Sequence, residues 1–226
     1  MKLTYLGHSA FLVETSSHRL LIDPFLTGNP GAPFTAEEAR CDYILLSHGH
    51  EDHTGDAAAI AKANDATIIA NYEIAEYYGA QDLKTHGLNP GGGFAFPFGR
   101  AALTVAFHTS SLNAGANPIY MGCPCGIIIE ADGKRLYHAG DTALFSDMQL
   151  IGRHGLDVAM VPIGDNFTMG PADALDALDF LKPKLAIPIH YNTWPPIAQD
   201  AAAWARDAST RGHPTNPLAP GASCDV

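Results

Sequence analysis

The stretch Tyr43-Ile44-Leu45-Leu46-Ser47-His48-Gly49-His50-Glu51-Asp52-His53-Thr54 decides how this chain reads. Its opening residues are apolar and bulky, the composition of a buried strand. At the end of such a strand, histidines at i and i+2 point their imidazoles the same way. Asp52 and His53 then enter what reads as an alanine-rich helix from Thr54 to Ala63. Four ligand-type side chains within six residues make a cluster of nitrogen and oxygen donors that suits zinc, manganese or iron.

Working outward, the same strand-then-loop texture recurs. Leu3–Leu6, Ala10–Glu14 and Arg19–Ile22 read as short strands separated by turn-like residues, and Asp23-Pro24 ends the third. Thr67–Ala70, Ala101–Phe107, Gly126–Glu130, Arg135–His138, Val158–Pro162 and Leu185–Ile189 read as further strands. Tyr72–Tyr78, Pro171–Leu181 and Ile197–Arg211 read as helices, with Pro171 well placed at a first helical position. Strands alternating with helices and no internal repeat predict a single α/β domain over residues 1–226, a sheet core with helices packed outside. The Pro-, Gly- and Ala-rich residues 212–226 read as an extended tail.

At 226 residues the chain is long enough to bury a sizeable core, and 46% of it is hydrophobic. Its formal net charge of −11 disfavours nucleic acid, whose phosphates it would repel. The N-terminus carries no basic segment leading into an apolar run, so no signal peptide is expected. No apolar run reaches the roughly 18 residues a membrane helix needs, so no membrane partner is expected either. Cys41, Cys123, Cys125 and Cys224 are irregularly spaced, and a chain this long needs no disulfide staples. The cytoplasm is the expected compartment. Cys123-Pro124-Cys125 lacks the spacing of a redox dithiol or a zinc knuckle, and reads as small residues leading into a strand.

One cluster needs further ligands to close it, and three later residues qualify. His108 ends the strand before Thr109-Ser110-Ser111, Asp141 sits in Tyr137-His138-Ala139-Gly140-Asp141-Thr142, and His190 ends Ala186-Ile187-Pro188-Ile189. Each is a ligand-type residue at a strand end, where loops share a rim.

These motifs carry a resemblance. The His-x-His-x-Asp-His block, the distant His108, the Gly140-Asp141-Thr142 and the Pro188-Ile189-His190 resemble the metallo-β-lactamase superfamily. Gly7-His8-Ser9-Ala10-Phe11, Leu21-Ile22-Asp23-Pro24 and Pro188-Ile189-His190-Tyr191-Asn192-Thr193 are similar to its UPF0173 branch and, more distantly, to ascorbate-6-phosphate lactonases.

The resemblance implies a four-layer αβ/βα sandwich with two divalent ions, zinc first and manganese or iron otherwise, on one edge. His48, His50 and His108 would hold one ion, Asp52, His53 and His190 the other, and Asp141 would bridge them. A hydroxide between the ions would be the nucleophile, and Asp52 would orient it or take its proton. Iron-dependent oxygen-reducing relatives put a carboxylate where His50 stands, so the all-histidine first set favours a hydrolytic zinc or manganese centre. Asp23 would support the ligand loop by accepting an imidazole N–H. His8 and His138 would support ligands or edge the substrate rather than bind metal, because seven better-placed donors already fill two sites.

Tyr191, Asn192, Thr193, Asn166 and the stretch Asn113–Met121 are candidates to line the substrate pocket. The function implied is hydrolysis of a small-molecule ester, lactone or phosphodiester, by a chain alone or as a homo-oligomer. The rivals are a nuclease of the same superfamily and a non-catalytic metal-binding protein. Nucleases usually carry a large inserted domain or an RNA-gripping arm, which this chain lacks. The full ligand set argues against a non-catalytic descendant.

Overall fold

The computed structural model of the protein describes residues 1–113 and 117–226. Its first half runs β1 (Lys2–Tyr5), β2 (Phe11–Glu14), β3 (Arg19–Ile22), β4 (Tyr43–Leu45), α1 (Glu51–Thr54), α2 (Ala57–Asn64), β5 (Thr67–Asn71), α3 (Tyr72–Gly79) and β6 (Thr85–Leu88). The second half runs β7 (Gly93–Phe96), β8 (Gly99–Val105), β9 (Ser111–Leu112), β10 (Ile119–Tyr120), β11 (Cys125–Ala131), β12 (Lys134–His138), α4 (Met148–Gly152), β13 (Val158–Pro162), α5 (Pro171–Leu181), β14 (Leu185–Ile189), α6 (Ala201–Thr210) and β15 (Ser223–Asp225).

Two sheets form, ordered β15-β1-β2-β3-β4-β5-β6 and β14-β13-β12-β11-β8-β7, with β9 and β10 as a separate pair. Period-two alternation along the strands sorts their side chains into three apolar layers. Leu20, Ile22, Leu45 and Ile69 of the first sheet meet Ile127, Ile129, Val158, Met160 and Ile187 of the second between the sheets. Leu21, Ile44 and Ile68, one residue out of step, pack outward with Ile60 of α2 and Ile74 of α3. On the other side Tyr137, Ala159 and Val161 pack with Leu178 of α5 and Trp204 of α6. Helix, sheet, sheet and helix are thus held by three buried interfaces, the four-layer αβ/βα sandwich expected.

The connections differ from the sequence reading where local chemistry overrides pattern. The helix expected over Thr54–Ala63 is divided at Gly55-Asp56, and the Asp56 carboxylate accepts from the Leu26 and Thr27 amides and the Thr27 hydroxyl. The helix expected from Ile197 starts at Ala201, because the Asp200 side chain caps it by accepting from Ala203 N. Residues 212–226 run back along the domain. Leu218 is buried between the sheets, and β15 pairs antiparallel with β1 at the sheet edge.

Parallel pairing of β3, β4 and β5, and of β12, β13 and β14, sends their C-terminal ends to one edge. Backbone and side-chain bonds cross between the two sheets there. Cys125 N donates to Ser47 O at 2.9 Å, His190 N to His8 O at 2.7 Å, and the His138 ring pairs with Ser9 O at 2.8 Å. Cys125 is buried in the core while Cys123 is exposed. Gly49 fits this edge only because it lacks a side chain: a Cβ there would lie 2.3 Å from Met121 Cβ. Its N–H donates to Ser110 Oγ, which donates in turn to Met121 O.

Gly49→Ala must therefore displace either Met121 or the loop that carries His48 and His50. The expected cost is about 1–3 kcal/mol of stability, read from urea unfolding. An unchanged midpoint would show that Met121 gives way freely.

Candidate metal centre

Seven side chains converge where the strands end. His48 and His50 follow β4, Asp52 and His53 lie in the one-turn α1, His108 follows β8, Asp141 follows β12 and His190 follows β14. Their ligand atoms fall into groups within 4.8 Å of one another: His48, His50 and His108; His8, Asp52, His53 and His190; and His48, His53 and Asp141. Helix α1 begins at Glu51, so Asp52 and His53 leave the rim in different directions from His50.

Asp141 lies at the middle of the cluster. Its Oδ2 is 3.0 Å from His190 Nε2, 3.6 Å from His108 Nε2 and 4.0 Å from His48 Nε2, and its Oδ1 is 3.4 Å from His53 Nε2. Asp141 reaches this depth through Gly140, whose φ of +60° and near contact with Cys125 O and Ser47 leave no room for a Cβ. His138 braces the same turn by accepting from Gly140 N at 3.1 Å. It stands apart from the converging ligand atoms.

Asp23 organises two of the imidazoles. Its Oδ1 accepts from Ser47 N at 2.8 Å and its Oδ2 accepts from Ser47 Oγ at 2.6 Å. With that hydroxyl committed, His48 Nδ1–H donates to Ser47 Oγ at 2.9 Å, and His48 Nε2 turns its lone pair toward the cluster. His53 Nδ1 likewise pairs with Asp23 Oδ2 at 2.8 Å, leaving Nε2 to face Asp141. His8 is occupied at both ends, by Asp52 Oδ2 at 3.1 Å and by Thr193 Oγ1 at 2.7 Å.

The electrostatics fit cations. Burial, helped by His53, pushes His48 well below the usual imidazole range, and burial lowers His50 and His108 as well. All three are thereby neutral donors. Burial alone would also lower His53, yet Asp141, Asp23 and Asp52 override it and hold His53 well above its ordinary value. Burial alone would raise Asp141, but His190 and His53 hold it well below the usual carboxylate range. His53 Nε2, Asp141 Oδ1 and His190 Nδ1 are buried without a hydrogen-bond partner among the described residues. Unpartnered buried polar atoms are costly, and here they belong to ligand-type residues gathered at one spot that favours positive charge. The residues present fit divalent ions.

A cleft of about 1050 Å³ opens over this cluster, with His50, Asp52, His108, Asp141 and His190 in its floor. Its walls carry Phe25, Tyr77, Leu112, Phe167 and Trp194. Tyr191, Asn192 and Thr193 are placed elsewhere: they line a separate cavity of about 380 Å³ that reaches His8 and Leu218. Asn166 precedes Phe167, which does reach the cleft. Of the stretch Asn113–Met121, Asn113 lines the cleft, and Ala114, Gly115 and Ala116 lie outside the described residues. Sequence reasoning missed Ser47, whose only signal was its place before His48, and missed Phe25 and Trp194, which carried none beyond their size.

Comparison with known proteins gives the family and the fold. Residues 18–191 match the Beta-lactamase superfamily domain. A UPF0173 metal-dependent hydrolase of Opitutus terrae is 50% identical over 227 residues, covering 100% of both chains. One from an Exiguobacterium species is 52% identical over 213 residues, covering 94% of this chain and 95% of its own. Among solved structures, Igni18, a metallo hydrolase from the archaeon Ignicoccus hospitalis, superposes with a TM-score of 0.90 at 36% identity, covering 100% of this chain and 98% of that one. The metallo-beta-lactamase fold protein YhfI from Bacillus subtilis shares the fold at a TM-score of 0.74 and 14% identity, covering 100% and 99%. With its ligand cluster, its sandwich and full-length relatives at half identity, the chain belongs to the UPF0173 metal-dependent hydrolases of the beta-lactamase superfamily.

Proposed function

We propose that this metal-dependent hydrolase is binuclear and cleaves a small-molecule ester, lactone or phosphodiester. The observation that carries the reading is the position of Asp141. Its carboxylate lies within 4.0 Å of His48 and His108 on one side and of His53 and His190 on the other. A carboxylate so placed serves two ligand sets at once. His48, His50 and His108 would hold one ion, Asp52, His53 and His190 the second, and Asp141 both. Two divalent ions there, zinc or manganese by the character of the donors, would lower the pKa of water and polarise the oxygen of the scissile group.

The chain's own groups do the rest. Asp52 lines the cleft, where it would orient the attacking water and receive its proton. His8 and Thr193 hold the Asp52 carboxylate in place, and Asp23 fixes the tautomers of His48 and His53. Phe25 and Trp194 wall the cleft in which Asp52 lies. No described helix is long and apolar enough to cross a membrane, and the four cysteines are free. Free thiols favour a cytoplasmic site of action.

Elemental analysis should find about two metal equivalents in the parent, roughly one in Asp52→Ala and less than one in Asp141→Ala, since only Asp141 is shared. Equal losses in the two variants would rule out this division of roles.

His108→Ala removes one of three neutral donors from the first set, outside all three apolar layers. Metal affinity and metal-dependent hydrolysis should fall roughly a hundredfold or more while far-UV circular dichroism is unchanged. Full metal content in this variant would move the third ligand to another residue.

A further inference from the structure

The chain carries 13 lysines and arginines, and among the described residues none lines the cleft over the metal cluster. Six of them form ion pairs away from it. Lys2 and Arg19 pair with Glu14, Lys84 with Asp65, Arg135 with Glu130, Lys184 with Asp157 and Arg211 with Asp176. The charged residues that do line the cleft, apart from the histidines, are Glu51, Asp52, Asp56 and Asp141. Asp56 is committed to the Leu26 and Thr27 amides and the Thr27 hydroxyl, so it braces the wall rather than reaching for a ligand.

The walls carry neutral polar groups, among them Thr27, Gln81, Thr109 and Asn113, and a broad apolar face. Trp194 packs against Phe25 with ring centroids 6.0 Å apart and against His8 at 5.0 Å, which places a fixed aromatic face beside Asp52. Leu112, Tyr77 and Phe167 continue that surface, and Phe167 is exposed at 56%. An exposed aromatic side chain on a cleft wall costs little when a ligand's apolar group covers it.

Resting on the binuclear reading, we propose that the substrate is a carboxylic ester or lactone whose arm, beyond the reacting group, is uncharged and apolar. The ions at the floor can hold one anionic or polarised oxygen group, the one that reacts. A second anionic group, such as the phosphate of a sugar-phosphate lactone or the neighbouring phosphate of an oligonucleotide, would meet carboxylates, aromatic faces and at most neutral donors, with no lysine or arginine among the described residues to receive it. An alkyl or aryl arm would instead lie on Trp194 and Phe25 and leave water.

Product-like carboxylates test this without turnover, because each presents one carboxylate to the ions and differs only in its arm. Acetate, hexanoate and adipate are titrated into the zinc-loaded protein and followed by tryptophan fluorescence. Trp204 is buried at 2% exposure and Trp194 is exposed at 36%, so a change reports Trp194. Hexanoate should bind roughly tenfold or more tighter than acetate, and adipate roughly tenfold weaker than hexanoate. In Trp194→Ala, followed by competition against para-nitrophenyl hexanoate or by calorimetry, the three affinities should converge. In the same preparation, para-nitrophenyl hexanoate should be hydrolysed with a lower KM than the acetate ester, and bis(para-nitrophenyl) phosphate should be the poorest substrate. A flat series, adipate binding tightest, or the phosphodiester turning over fastest would overturn the inference, whatever the metal count. The predicted binding series with no metal-dependent turnover of any ester would support the cleft's selectivity and count against the hydrolytic assignment alone.

Discussion

A carboxylate buried at 2% exposure among four imidazoles is the constraint from which the rest follows. Taking Asp141 and its neighbours out of water costs several kcal/mol per charged group unless opposite charge and hydrogen bonds compensate. Nothing local could meet that cost. Strand ends from both sheets deliver the groups, and they stay delivered because the sheets are joined across this edge by Cys125 to Ser47 and His190 to His8. The three apolar layers below supply the stability that the polar edge consumes. Core and site are therefore separate in space but not in energy.

The edge also stores backbone strain. His8, Asp23, His190 and Asn192 all have left-handed φ, at 56°, 44°, 54° and 59°, without being glycine. Such residues cost on the order of 1 kcal/mol each or more and persist only where the surroundings over-determine them. Each has an identifiable hold. His190 N–H is bonded to His8 O, Asn192 N–H to Ile197 O, and the Asp23 N–H to Leu45 O. The turn conformation is what swings the Asp23 carboxylate back under Ser47, His48 and His53, where an extended residue would have continued the strand.

Most of this was legible because ligand-type residues announce themselves. Histidine and aspartate at the ends of apolar, β-branched runs are rare in ordinary loops, and the strands β1 to β5 and β11 to β14 were readable as short apolar runs bounded by turn residues. What escaped had no such signal. The short strands β6, β7 and β15 lie half-exposed at sheet edges, and β9 and β10 are two-residue strands that pair with each other, so none carries a sustained buried apolar run. The start of α6 was set by the Asp200 cap and not by hydrophobic period. Tyr191 and Asn192 looked like cleft residues because they follow His190 directly. The left-handed turn at His190 and Asn192 turns them away from the cleft, and Trp194, farther along the loop, faces the cleft instead. Sequence proximity to a ligand is a poor guide where the backbone reverses handedness.

That reversal bears on how the centre assembles. In small zinc domains the ligands come together only when the ion binds, so binding and folding are one event. Here the imidazole tautomers are fixed by Asp23 and Ser47, the Asp52 carboxylate by His8, and the Asp141 turn by His138 and Gly140. All of these are interactions of the chain with itself. The ligand rim is thus held by the chain's own bonds, and His53 Nε2 and Asp141 Oδ1, which lack a protein partner, are atoms a divalent ion would engage. A divalent ion bound there would not have to fold the chain, so its binding free energy would go into affinity and into reactivity toward the cleft.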